Sequence, residues 1–188
     1  MQISDAQREM RAAFLGGYVA QLLIGIIWAI AAAIGAWVSE GAGMATLFFG
    51  SALLFPLTRG VLRLMGRSAT LSRGNALESL AMQIAFTVPI GFLLVAAATL
   101  YERTWFFLAA MVVVGAHYLP FIFLYGMWQF GALAAVLVAG GVVLALWGPG
   151  VFSLGGWLSA AVFVVFAFLL RAAALREERA ESAGAGGD

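Results

Sequence analysis

The single histidine of this 188-residue chain, His117, lies within "VVVGAHYLPFIFLYG" (residues 112–126), surrounded by valine, phenylalanine and leucine. An imidazole can bind a solute, relay a proton or bond to another helix, and an ionisable group inside an apolar helix raises a functional-site hypothesis by default. A neutral imidazole there both donates and accepts. Pro120, three residues on, removes one helical hydrogen bond and is expected to free the carbonyl of Ala116. Tyr118 and Tyr125 are seven residues apart and share a face, about 100° round the helix from His117.

The remaining polar side chains of the apolar runs are few. Gly17, Gln21, Gly25, Trp28, Ala32 and Gly35 recur at helical spacing, as do Ser79, Gln83, Thr87 and Gly91. Each series mixes small residues with an amide or hydroxyl, the pattern of close helix packing. With Gln129 they make a candidate solute-binding set: His117, Tyr118, Gln21, Gln83, Thr87 and Gln129. The alternative is that His117 only bonds across to Gln21 or Gln83, and the seams only hold helices together. Arg59, Arg63 and Arg67, at steps of four, with Arg73 beyond, would meet anionic lipid headgroups or simply set topology.

Several chemistries are excluded. Without cysteine there is no disulfide, thiolate metal site or cysteine nucleophile, and one histidine does not make a metal site. No G-x-S-x-G or H-E-x-x-H motif occurs, and Glu40, Glu78 and Glu102 stand near the ends of apolar runs. An enzyme is not expected, nor a cofactor, nor a nucleic-acid partner.

The elements that must position these residues follow from composition. Hydrophobic residues make up 64% and charged residues 10% of the chain, where soluble domains carry about 25% charge. Crossing a bilayer core about 30 Å thick takes ~20 apolar residues in a helix. Runs of that length recur, so an all-α bundle of six transmembrane helices is expected, at about 14–38, 44–64, 77–100, 105–125, 127–147 and 151–171. These form one domain over 1–176, with a cytoplasmic tail over 177–188 that is helical at first and disordered in "SAGAGGD". The uncharged stretch from Trp105 to Trp147 would be about 64 Å long as one helix, so it must turn back, at Gly126. The first run is too long for a cleaved signal peptide. Ser4 with Gln7 and Asn75 with Glu78 read as capping boxes. The last span, "VFVVFAFLL", has no polar stripe and reads as lipid-facing. No internal repeat stands out.

All ten basic residues are arginine, and nine of them fall on one side of such a bundle, leaving Arg103 alone on the other. That asymmetry puts both termini in the cytoplasm. Trp37, Trp105, Trp147 and Trp157 then lie at the outer ends, and Gln21, Gln83, Thr87 and Gln129 in the inner half.

"ISDAQREMRAAFLGG", "LFFGSALLFPLT", "NALESLAMQ" and "WFF" followed by "VVVGAHYLPFIFLYG" together resemble a family of small bacterial multi-pass membrane proteins classed only as a domain of unknown function. The resemblance covers about residues 1 to 130. It implies a bacterial inner-membrane location and carries over no activity or site residue. The sequence as a whole points to binding or movement of a small neutral or weakly polar solute through the inner-half polar cluster, by a protein surrounded by lipid and expected to be homo-oligomeric. The rival is a structural or accessory membrane protein.

Overall fold

The chain begins with an amphipathic helix, α1 (Ile3–Phe14), which buries Ala6 and Met10 and exposes Arg8. Its start is capped two residues earlier than "SDAQ" implies: the Gln2 backbone N–H donates to the Asp5 carboxylate at 3.3 Å, so Gln2 and Asp5 form the pair in place of Ser4 and Gln7. Leu15, Gly16 and Gly17 then adopt φ of 52°, 62° and 86°. The left-handed region is costly for any residue with a Cβ, so Leu15 marks a held, strained break. Beyond it α2 (Tyr18–Trp37) begins.

In this computed structural model, which describes residues 2–67 and 70–184, the remaining helices are α3 (Glu40–Ala52), α4 (Leu54–Leu64), α5 (Leu77–Tyr101), α6 (Phe106–His117), α7 (Phe121–Tyr125), α8 (Gln129–Trp147) and α9 (Leu154–Gly184). No strand occurs among the described residues. Four helical stretches are long and apolar enough to cross a membrane: Ile3–Trp37, Leu77–Tyr101, Gln129–Trp147 and Leu154–Glu177. Counting α3 and α4 as one bent span makes five.

Two expected spans are broken, each at a proline. Pro56 has no N–H for the Ala52 carbonyl, and its ring crowds that carbonyl; α3 ends at Ala52 and α4 leaves at 55°. Pro120 divides the expected 105–125 helix into α6 and the five-residue α7. The Ala116 carbonyl is not left free, as the sequence implied, because the chain tightens into i→i+3 turns: Leu119 N–H donates to it at 3.1 Å. The turn-back at Gly126 is as expected, with φ 66° closing α7.

Helix α2 packs against α9 and α3, and α6 against α8 and α5. Lipid tails supply no hydrophobic force between helices, so close contact relies on small residues. A Cβ on Gly25 would lie 3.3 Å from the Ala160 carbonyl of α9, and one on Gly156 only 2.8 Å from Ala32. These gaps admit Trp28 to the centre, its ring 5.7 Å from Phe163 and 5.9 Å from Phe107. The reading of the last span as lipid-facing is therefore corrected on one face: Phe163, Ala167 and Leu170 are fully buried, while Val164, Val165, Phe168 and Leu169 are exposed. An apolar stripe buries as well as a polar one when the helix opposite offers glycine and alanine. The helix also runs through Gly184, so Ser182 to Gly184 belong to it, while 185–188 of the expected disordered tail lie outside the described residues.

The bundle has two distinct ends. At one, Arg171 lies over the Tyr18 ring at 5.1 Å and Arg67 donates to the Ala12 carbonyl at 3.3 Å. At the other, Arg103 pairs with Glu40 at 3.3 Å and Trp37 packs on Trp157 at 5.8 Å. Helix α1 is fastened at the arginine-rich end, where Arg11 donates to the Tyr125 carbonyl at 2.6 Å and pairs with Glu177 at 2.9 Å. Replacing Arg11 with Ala should lower stability in detergent by about 2 kcal/mol, the scale of a charged, largely buried hydrogen bond. Arg8→Ala, which breaks only the exposed Arg8–Asp5 pair, should leave the unfolding midpoint in place.

Candidate functional site

Where α6 stops, two consecutive side chains turn to different helices. His117 faces α5, its Nδ1 2.9 Å from the Thr87 hydroxyl. That hydroxyl gives its one proton to the Ile84 carbonyl at 2.7 Å, so His117 Nδ1–H is the donor to Thr87 and Nε2 is left as an acceptor. Tyr118, a step of about 100° further round, faces α2 and donates to Gln21 Oε1 at 3.4 Å. The distance is long for an O–H donor, so this bond is weak. Both Tyr118 and Gln21 are buried, whereas His117 is half-buried.

The six candidate residues do not converge on one point. Gln21 and Tyr118 meet in the core, and Thr87 and His117 meet at its edge. Gln83 is exposed on the outer face of α5. The interior seam read from Ser79, Gln83, Thr87 and Gly91 is accordingly only half right: Ser79 and Gln83 face outward, while Gly91 abuts Val113 of α6. Gln129 is half-buried at the head of α8, with Oε1 fully shielded and without a hydrogen bond among the described residues.

Between Gln21 and the start of α8 lies a cluster of rings. Phe130 is 6.1 Å from Tyr118, 5.4 Å from Phe121 and 5.1 Å from Tyr125. Glycine at residue 17 leaves it room: a Cβ there would lie 3.1 Å from Phe130 Cζ. The rings fill the space directly below the Tyr118–Gln21 pair. At the opposite end of the bundle, Leu108, Leu144, Pro149 and Leu154 border a cavity of ≈ 10 Å³, room for about one water.

Helix α1 forms the floor of the cluster. Gly126 ends α7 in the left-handed region, which orphans its last carbonyls. Gln7 Nε2 donates to the Phe123 carbonyl at 2.5 Å and Arg11 to that of Tyr125. Glu9, between them in sequence, accepts from the Ser72 N–H, from the Ser72 hydroxyl at 2.9 Å and from Asn75 Nδ2 at 2.8 Å. These donors, the Ser72 amide foremost and Asn75 next, hold the Glu9 carboxyl below the usual range. Asn75 also caps α5, its Oδ1 accepting from Leu77 N–H at 3.0 Å; Glu78 is exposed and does not complete the expected box. Sequence reading treated Arg11 as a topology marker, gave Gln7 to a capping box with Ser4, and missed Glu9. The available signal was a four-residue spacing from Gln7 to Arg11 on an amphipathic helix.

The arginine stripe is shorter than its spacing implied. Arg59 lies over the Phe55 ring at 5.6 Å and Arg63 is exposed one turn on, but α4 ends at Leu64 and Gly66 turns left-handed. Arg67 therefore leaves the stripe for the Ala12 carbonyl, and Arg73 is exposed in the following loop. No group of acidic and histidine side chains suited to a metal ion occurs among the described residues.

Fold and site together define an all-helical protein of membrane-length apolar helices with a small polar centre beside a broken helix. The chain belongs to a family of unknown function, DUF7010, whose match covers residues 3–173. No curated protein and no solved structure matches it.

The His117–Thr87 bond should behave as an interhelical tie. His117→Phe and Thr87→Val are each expected to lower stability in detergent by about 1 kcal/mol, and the double variant by little more than either alone, which a double-mutant cycle would read as coupling.

Proposed function

We propose that the protein crosses the bacterial inner membrane six times, with both termini in the cytoplasm, and binds or passes a small neutral or weakly polar solute at Gln21, Tyr118 and Gln129. Six passes make α3 with α4 one span and α6 with α7 another. This reading draws support from the two ends of the bundle: Arg11, Arg67 and Arg171 at one, Arg103 and the Trp37–Trp157 pair at the other.

The observation that carries the solute reading is incomplete pairing at the polar centre. Side chains that serve only as glue satisfy one another, since lipid offers no alternative partner. Here the Tyr118–Gln21 bond, beside the helix break at Pro120, is long, and Gln129 Oε1 at the head of α8 has no bond among the described residues, so polar capacity is left over. Broken helices near such groups are a recurring feature of solute sites in membranes. In this reading the conformation described is closed, with Phe130 and its neighbours filling the site and α1 below them. The structural or accessory reading is favoured by a different observation, the Ile84–Thr87–His117 chain of bonds, in which the His117 Nδ1 side serves as a tie between α5 and α6.

Flux of small neutral solutes, glycerol and urea among them, into proteoliposomes separates the two. Solute binding predicts that Gln21→Leu and Tyr118→Phe fold and lose about tenfold in flux, one hydrogen bond's worth. An accessory role predicts no flux above empty liposomes for any variant.

Topology is tested on the cysteine-free background. A thiol at the exposed positions Ser39 or Val151 should react with an impermeant maleimide from outside intact cells, and one at Arg73 only after permeabilisation. The reverse pattern would invert the proposed orientation.

A further inference from the structure

Helix α5 is the least covered of the membrane-length stretches: 17% of its apolar window is buried, against 28% for α8, 33% for α9 and 50% for the first. Its outer face carries Gln83, Phe86, Ile90, Leu93, Ala97 and Leu100, all exposed, at alternating steps of three and four. That is the spacing of the a and d positions of a left-handed helix pair. Lipid would cover five of these six without cost. It would not cover Gln83.

The depth of Gln83 decides the matter. The 25 residues of α5 span about 37 Å, against a hydrocarbon core of about 30 Å. Gln83 lies about 9 Å from the start of the helix, so its Cα is ~5 Å inside the hydrocarbon when the helix is centred. Its amide carries two donors and an acceptor, and the side chain has no hydrogen-bond partner among the described residues. A polar group in that position is satisfied by another helix.

We infer that the α5 face is the contact with a second copy of this chain, with Gln83 bonded to Gln83 of that copy across a two-fold axis along the membrane normal. Such an axis runs the two α5 helices parallel and brings equal residues together at equal depth. An amide is complementary to itself under that symmetry, because each side chain both donates and accepts. Charged side chains lack this property, and an apolar seam alone would leave the register free. A single polar residue at an a position among apolar neighbours fixes the register and the number of helices. His117, bonded to Thr87 about 40° away on the same helix, borders the seam without taking part in it.

The inference rests on α5 lying in the bilayer, and the test separates that premise from the contact. In the cysteine-free chain, Ile90→Cys keeps Gln83 in place and puts a thiol one heptad above it. Oxidation of native membranes should give a disulfide-linked dimer from Ile90→Cys and from Phe86→Cys, but not from Val143→Cys on the exposed face of α8. Adding Gln83→Leu should weaken association about tenfold in detergent titrations, and Gln83→Asn should restore most of it. Equal cross-linking at all three positions, or none, would overturn the contact, and undiminished association of the Leu variant would remove Gln83 from it. If an impermeant maleimide reaches Ile90→Cys in closed vesicles, α5 is not in lipid and the pairing falls with that premise.

Discussion

A backbone carbonyl inside a bilayer has no water to accept from, so every interruption of a helix must be closed by the protein itself. The interruption between α6 and α8 is the severe case, because a proline and a left-handed glycine stand six residues apart. The gap is closed from two directions. Tightened turns use the Gly115, Ala116 and Tyr118 carbonyls, and α1 brings Gln7 and Arg11 to those of Phe123 and Tyr125. The amphipathic first helix is thus a structural part of a segment more than a hundred residues away. Arg11 ties the same point to α9 through Glu177, and Glu9 ties it to the start of α5.

This closure also arranges the polar centre. Consecutive residues at the end of α6 point about 100° apart, so the histidine and tyrosine serve α5 and α2 separately. Gln83 meets neither, because it lies on the outward face of α5. Three polar residues whose positions along their helices had put them at similar depth thus face three directions. The aromatic cluster of Tyr118, Phe121, Tyr125 and Phe130 fills the angle that the break opens, and Gly17 in the hinge between α1 and α2 makes room for it.

Much of the fold was legible because the bilayer imposes a length. Apolar runs near Phe14 to Val38, Leu77 to Leu100, Met127 to Trp147 and Val151 to Arg171 each contain a helix of membrane length, and the turn at Gly126 followed from the impossibility of a 64 Å span, about twice the core. Pro56 was equally visible, yet hydropathy does not register a bend, so 44–64 read as one straight helix. The apolar last span read as lipid-facing because polarity was taken as the mark of burial; glycines on α2 and α9 were the better guide. For the site, spacing put Gln21 and Trp28 on one face of α2 correctly, and the tie of His117 came within one turn, going to Thr87 in place of Gln83.

The sequence alone determined the solvent and the class: 64% hydrophobic residues, 10% charged residues, and apolar runs cut to the thickness of a bilayer. These are properties of single segments in contact with lipid or water, and a segment carries them by itself. Only the tertiary structure decided which polar group bonds to which, that α1 closes α7, that Arg67 leaves its stripe for Ala12, and that Gln83 faces out. Helical spacing specifies the face on which a residue lies; what stands opposite depends on where neighbouring helices end, and here those ends are set by prolines and left-handed residues on other segments.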